Sequence, residues 1–445
     1  MAEDPLRIHG AGLMSMRVSL RDIFADTRPF RVPAFRNLWL GNVATVIGAQ
    51  LTVVAVPVQI YQMTGSSAYV GLTGVFGLVP LVIFGLYGGS IADAFDKRIV
   101  LICTTIGMIA TTAGFWVLTL MQNQNVWLLL LNFALQQAFF AVNQPTRTSV
   151  LRRLLPIDQL ASATSLNMML MQTGAIVGPL IAGALIPLIG FGWLYFLDVI
   201  SIVPTLWAVW ALPSMKPLGE VVKAGFASVV DGLRYLGGQP VLMMVMLLDL
   251  IAMVFGMPRA LYPEIADHDF GGGDAGATML AFLYSSMALG AVLGGLFSGW
   301  VSRVRRQGVA VYWCIIAWGV AVALGGVAVL LSPGAVTVWA WMFILMMIIG
   351  GMADMFSSAV RNAILQQSAA EHVQGRIQGV WIIVVVGGPR LADVLHGWLA
   401  EPWGAGWTIL AGGVAVVVLT LVCMVAVPKF WRYRRPAPTV GSGEP

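Results

Sequence analysis

The chain has 445 residues, 58% of them hydrophobic and only 10% charged, with a net charge of +5. Soluble domains carry about 25% charged residues, so water is excluded as its main solvent. Cys103, Cys314 and Cys423 lie far apart, which excludes a disulfide framework or a metal–thiolate centre and leaves them as packing residues.

Residues 1–36 form a basic segment with Arg7, Arg17, Arg21, Arg28, Arg31 and Arg36. It lacks the apolar core of a signal peptide, so no cleavage is expected. Met14 and Met16 are alternative starts, and the bases can also touch anionic lipid. The first half, residues 37–212, contains six apolar stretches of bilayer-crossing length. They are Leu38–Ile60, Tyr69–Ile91, Ile99–Met121, Val126–Asn143, Leu160–Ile189 and Gly192–Leu212. A polar linker, 213–240, carries Pro217, Gly219, Gly225, Gly237 and Gly238. The second half, 241–427, supplies Val241–Leu261, Met279–Val301, Val309–Leu331, Val336–Phe356, Ile377–Leu399 and Trp407–Val427, before a basic tail at 428–445. Transmembrane β-strands would alternate apolar and polar residues; these stretches do not. The predicted fold class is an all-α membrane protein of twelve transmembrane helices.

Between the second and third spans, "DAFDKR" is a tight turn that makes those helices antiparallel neighbours. Gly85, Gly88 and Gly89 permit close helix approach there. Two readings of Asp93, Lys97 and Arg98 fit: a cytoplasmic gate, or charges that simply end two helices at the lipid surface. In the fourth span Asn132, Gln136 and Asn143 share one helical face. The stripe needs either a wet path or hydrogen bonds to a neighbouring helix. The fifth span holds Gly174, Gly178, Pro179 and Gly183, which make a smooth groove or serve tight packing.

Acids inside spans are costly, roughly 3 kcal/mol on insertion scales, and usually face a cavity or a partner. Asp249 lies nine residues into the seventh span, near the midplane at about 1.5 Å per residue, and is the preferred proton carrier. Asp354 in the tenth span fits a structural hydrogen bond equally well, and Asp198 in the sixth fits a cap or a pair. Arg259, between Pro258 and Pro263, has Glu264 and Asp267 close by. This is an outer gate whose charges pair when closed, or an arginine reaching the outer interface. In the eleventh span Arg390 and Asp393 share a face, with His396 one turn beyond. They form either an internal salt bridge or an anchor for an anionic or oxygen-rich cargo that Asp393 releases on protonation. Met243, Met244, Met246, Met253 and Met257, with Met342, Met346, Met347 and Met352, suit a bulky amphipathic cargo or ordinary apolar packing.

In the twelve-span topology all 25 bases except Arg259 and Arg390 fall on one side, so both termini are expected in the cytoplasm. The positive charge then records topology, and no nucleic-acid partner is expected. The halves also echo each other: Gly89, Asp93, Lys97 and Arg98 recur as Gly299, Arg303, Arg305 and Arg306, and Arg147 with Leu151 recurs as Arg361 with Leu365. Two six-helix halves imply a pseudo-twofold axis along the membrane normal with a site between them.

The stretch "GGSIADAFDKRIVL" resembles the loop motif of the major facilitator superfamily, with Gly89, Asp93, Lys97 and Arg98 in the matching positions. Ala94 replaces a usual base and Asp96 a usual glycine. "AVPVQIYQMTGSSAYVGL", "RALYPEIAD" and "EHVQGRIQGVW" are similar to its enterobactin-exporter branch, and "GAIVGPLIAGAL" resembles the superfamily's antiporter motif. The resemblance implies spans one, four, seven and ten along a central path, which would turn the Asn132 stripe inwards. It also implies a bacterial inner membrane. The expected function is a monomeric secondary exporter, a proton antiporter for a siderophore or drug. Proton-coupled uptake and a non-transporting sensor or scaffold are the alternatives. No nucleotide-binding glycine loop occurs, the four histidines are scattered, and neither enzymatic activity, a cofactor nor a metal is expected.

Overall fold

In hydrocarbon a chain must satisfy its own backbone, and an α-helix does so within one segment. The computed structural model describes residues 26–216, 234–299, 304–368 and 374–434; these are helices and their connections, with no strand among the described residues. The N-terminal half comprises α1 (Pro33–Thr64), α2 (Ser67–Ala94), α3 (Lys97–Leu120) and α4 (Val126–Leu154). The helical segment Ile157–Trp210 then breaks at Gly190 (φ 73°, ψ 174°) into α5 and α6. The C-terminal half has α7 (Pro240–Gly256), α8 (Gly273–Leu296), α9 (Gln307–Leu330) and α10 (Val338–Ser368). Gln374–Ala426 breaks at Gly404 (φ 75°, ψ 163°) into α11 and α12. L side chains rarely adopt such φ values. Nothing lies within 4 Å of a Cβ built at either glycine, so the backbone conformation, not space, demands glycine there. With these divisions twelve helices cross, as the sequence predicts.

Local signals set the helix ends. Pro33 and Pro240 open α1 and α7, where a missing N–H costs nothing. Asp96 caps α3 by accepting from Arg98 N at 2.9 Å, and Asn125 caps α4 by accepting from Trp127 N at 3.0 Å. Between α7 and α8 the chain runs through a 3₁₀ turn (Arg259–Leu261), a short turn (Tyr262–Glu264) and a π turn (Ile265–Asp269).

Large apolar side chains stay exposed on the outward faces, including Leu128, Leu131 and Leu135 of α4 and Trp193, Ile200, Val203 and Trp207 of α6. Such a surface is stable only against lipid; the protein is a multi-pass membrane protein. Inside, Phe115 of α3 stacks on Tyr195 of α6 with centroids 5.3 Å apart. Trp318 of α9 donates to Ala252 O of α7 at 3.2 Å.

The halves meet along α2–α11 and α5–α8. A Cβ at Gly71 would lie 2.7 Å from Asp393 O, and one at Gly397 would lie 2.9 Å from Gly71 Cα, so these backbones touch. Ser66 of the α1–α2 loop donates to Glu401, and Ser67 donates to Glu264. Both bonds lie at the end opposite the described termini, called here the distal end. Deeper in the seam, Ser285 Oγ of α8 donates to Ile176 O of α5 at 2.9 Å, and Arg390 of α11 reaches Gln137 of α4 at 3.4 Å. Among the described residues, the side-chain hydrogen bonds joining the halves therefore run from the distal end to mid-bundle. In this conformation the bundle is fastened distally.

Candidate functional site

The C-terminal half holds a group of three charges, with Asp249 and Arg361 buried and Asp354 partly exposed. Asp249 sits nine residues after the proline that opens α7, where an unbroken apolar helix carries it to mid-bundle. Arg361 of α10 places Nη1 2.5 Å from Asp249 Oδ1 and Nη2 3.1 Å from Asp354 Oδ1. Asp354 and Arg361 are seven residues, two turns, apart on one face of α10. Arg361 is 1% exposed and Asp249 3%, and the Trp381 ring of α11 lies 6.0 Å from the guanidinium. Asp249 Oδ2 and Arg361 Nε and Nη1 have no hydrogen-bond partner among the described residues, so the Asp249–Arg361 contact is an ion pair without an aligned hydrogen bond. Two carboxylates thus share one guanidinium, leaving one excess negative charge that a single proton would cancel.

The N-terminal half carries the counterpart in another charge state. Asn42 sits nine residues after Pro33, as Asp249 does after Pro240, and accepts from Arg147 of α4. Where the second half has a carboxylate, the first has an amide. The sequence alone places Arg147 and Arg361 beyond the ends of the fourth and tenth spans, on the basic side. The structure places both inside helices, because α4 and α10 continue well past the predicted spans.

A second group lies at the seam. Arg259, from the 3₁₀ turn after α7, donates from Nη2 to Asp393 Oδ2 of α11 at 2.9 Å. Arg390 Nη1 lies 4.0 Å from that oxygen, its Nη2 lies 3.4 Å from Gln137 Oε1, and its Cζ stands 5.4 Å from the Phe133 ring. His396 is buried, its ring nitrogens 3.0 Å from Ala392 O and 3.2 Å from Phe255 O. Arg259 thus takes Asp393, while Glu264 accepts from Ser67 and Asp267 lies 4.0 Å from His268. Arg259, Glu264 and Asp267 each have a different partner, and within the seam group the closest pair is Arg259–Asp393, not Arg390–Asp393.

The polar stripe of α4 turns towards α3. Asn132 Nδ2 donates to Thr111 O at 2.8 Å, Gln136 Nε2 to Thr112 Oγ1 at 3.1 Å, and Asn143 Nδ2 to Thr104 Oγ1 at 2.8 Å. The glycine run of α5 also packs: a Cβ at Gly174 would strike Val46 and at Gly178 Gln50, both of α1, while at Gly183 it would strike Ala281 of α8. Pro179 between them is buried. Asp198 of α6 accepts from Thr52 Oγ1 of α1 at 2.5 Å and from Ser201 Oγ at 3.2 Å.

At the termini-bearing end, Gly89 and Asp93 belong to α2, but their side chains lie outside the described residues. Arg98 Nη2 donates to Trp210 O at 2.6 Å and Lys97 N to Met215 O at 3.2 Å, tying the α2–α3 turn to the end of α6. Asp96 accepts from Ser214 Oγ at 2.5 Å and Met215 N at 3.0 Å. Burial is the largest single influence and pushes the Asp96 carboxyl up. The hydrogen bonds from Ser214, Met215 and Arg98 together outweigh it and hold the group below the usual carboxylate range.

Sequence reasoning missed Arg361, Gln137, Trp381 and the two serines. Arg361 had a signal: Ala359, Val360, Ala363, Ile364 and Leu365 flank it on both sides, the pattern of a continuing buried helix. Gln137 adjoins Gln136 and differs from it only in the face it occupies.

Known proteins match this architecture along nearly its whole length. The profile of the transmembrane secretion effector family matches residues 25–435. The enterobactin exporter EntS of Escherichia coli O139:H28 (strain E24377A / ETEC) is 25% identical over 417 residues, covering 93% of this chain and 96% of that protein. The same protein of Shigella boydii serotype 18 (strain CDC 3083-94 / BS512) matches equally. Among solved structures, a bacterial homologue of the human lysosomal transporter Spinster, inward-facing and unoccupied, superposes with a TM-score of 0.68. It is 18% identical, with 93% of this chain and 100% of that one covered. A POT family transporter in complex with 5-aminolevulinic acid gives a TM-score of 0.71 at 13% identity, with 89% and 96% covered.

Proposed function

The chain belongs to the transmembrane secretion effector family of the major facilitator superfamily, and from that premise we propose that it is a secondary exporter driven by the proton gradient. It carries a bulky small molecule, such as a siderophore or a drug, out of the cell. Both termini face the cytoplasm and the distal end faces outwards, in line with the one-sided distribution of bases. The two halves rock about the seam, exposing it alternately to each side.

The observation that carries the coupling is the Asp249–Arg361–Asp354 group, where the buried Asp249 and the partly exposed Asp354 share one buried guanidinium. Taking up one proton removes the excess charge. A charge-balanced group tolerates the water-excluded stage of the cycle, and an unbalanced one favours water at its open side. Protons enter from outside, cargo from inside, and each needs the other to have left. Export, in preference to uptake, is supported by the family's secretion description and by the enterobactin exporters among its relatives.

The experiment uses proteoliposomes loaded with a metabolite extract from the source cells. Under an imposed pH gradient, compounds released through the wild-type protein are identified by mass spectrometry. Release should require the gradient and be lost in Asp249→Asn. Release without any gradient dependence would remove proton coupling, and no release from any preparation would remove transport.

A further inference from the structure

The seam group does not balance its own charge. Asp393 is the one carboxylate, among the described residues, within 4.0 Å of either Arg259 or Arg390. One carboxylate neutralises one guanidinium, and Arg259 holds the shorter, hydrogen-bonded contact. Arg390 is left with a neutral amide oxygen at 3.4 Å and the face of Phe133. It lies sixteen residues from the start of α11 and fourteen from the break at Gly404, about 20 Å from either end. An arginine that deep is costly, and such residues face a water-filled cavity or a partner.

The surroundings keep this guanidinium accessible. Its side chain retains 20% of its exposure although it lies at mid-bundle, against 4% for Asp393. A Cβ at Gly77 of α2 would lie 3.0 Å from Arg390 Cζ, so that glycine leaves the head group its room. Its contacts cross the seam: Gln137 and Phe133 belong to α4, Arg390 to α11. An anion bound here would touch both halves, and its affinity would change as they rock. The other buried group has the opposite balance, two carboxylates to one guanidinium, and repels anions.

Resting on the export reading above, we propose that the cargo is an anion at neutral pH, a small molecule bearing a carboxylate, phenolate or comparable oxyanion. Arg390 is its binding residue. The guanidinium offers up to five N–H donors, and the Gln137 amide adds two more from the other half. Asp393, 4.0 Å away, competes for Arg390 and re-engages it once the cargo leaves.

The test compares source cells lacking the protein with the same cells carrying wild type, Arg390→Gln, Arg390→Lys, Gln137→Glu or Asp249→Asn, by mass spectrometry of retained metabolites. Compounds retained by the deletion strain should be anionic at neutral pH. Arg390→Gln should reduce their export about tenfold or more, with Arg390→Lys in between because an ammonium keeps the charge and loses the planar fork. Gln137→Glu gives Arg390 an internal anion while improving its pairing, so it should block export as strongly as Arg390→Gln without unfolding the protein. Retained compounds that are neutral or cationic overturn the proposal and leave the export reading standing. Wild-type export by both Arg390→Gln and Gln137→Glu overturns it too. If the deletion strain retains nothing, the export reading fails and the proposal with it; if Asp249→Asn alone exports normally, only the coupling assignment falls.

Discussion

Arg361 Nη1 of α10 lies 2.5 Å from Asp249 Oδ1 of α7, clamping two helices of the C-terminal half. The pair is asymmetric in what its loss would do. Asp249→Asn still leaves Arg361 with Asp354 at 3.1 Å, a balanced one-to-one pair. Arg361→Ala leaves the buried Asp249 and the partly exposed Asp354 without a base, and breaking a buried pair costs about 3–5 kcal/mol. Asp249→Asn should therefore reach the membrane at wild-type levels, while Arg361→Ala should be depleted or aggregated in fluorescence-detected size-exclusion profiles. Equal profiles for both variants would show that the clamp does not hold the half together.

Asp96 gives the fold a dependence on acid. Its carboxylate caps α3 and holds Ser214 and Met215 at the end of the first half, and those bonds keep it below the usual carboxylate range. A depressed carboxyl stabilises the fold fully above its ordinary value of 3.8 and loses that contribution as pH falls through the folded value. In detergent, thermal midpoints of the wild type should drop more steeply below about pH 4 than those of Asp96→Asn. At neutral pH the variant should be less stable by about 1 kcal/mol, the scale of a lost N-cap. Parallel pH profiles would mean that the cap contributes nothing.

The hydrogen bonds of the α4 stripe predict a contribution to stability. Asn132, Gln136 and Asn143 all donate to α3. Interhelical hydrogen bonds in membranes are each worth about 0.6 kcal/mol on average. Asn143→Leu, the most buried of the three changes, should lower the thermal midpoint slightly and leave the set of exported compounds unchanged. A changed cargo spectrum would place the stripe in the transport path after all.

What was legible in the sequence was whatever a single helix decides for itself. The twelve apolar stretches and the acid at mid-span in α7 follow from hydropathy and spacing. Which neighbour a polar face meets is decided by packing between segments. A helical wheel puts Asn132, Gln136 and Asn143 together, yet cannot say whether α3 or a central path lies opposite. Arg147 and Arg361 were misplaced for a related reason. Counting bases by side of the membrane treats every arginine near a span end as exposed, and these two are held inside by Asn42 and Asp249, residues more than a hundred positions away. The distal fastening was invisible because its donors, Ser66 and Ser67, are common turn residues with nothing to mark their glutamate partners.

The seam itself can be forced open. A Cβ at Gly74 of α2 would strike Arg390 O and lie 2.8 Å from the Val394 side chain and 3.1 Å from Asp393 Cβ of α11. Two of those atoms belong to the backbone or its first side-chain carbon, so no rotamer change relieves the overlap. Gly74→Leu should therefore disfavour the distally fastened arrangement and shift the population towards one parted at that end. Ser67, 3% exposed and bonded to Glu264, reports the change when replaced by cysteine. In intact cells, a membrane-impermeant maleimide should label Ser67→Cys severalfold faster when Gly74→Leu is also present. Unchanged labelling would mean that α2 and α11 already part freely, and that the distal bonds do not hold the halves closed.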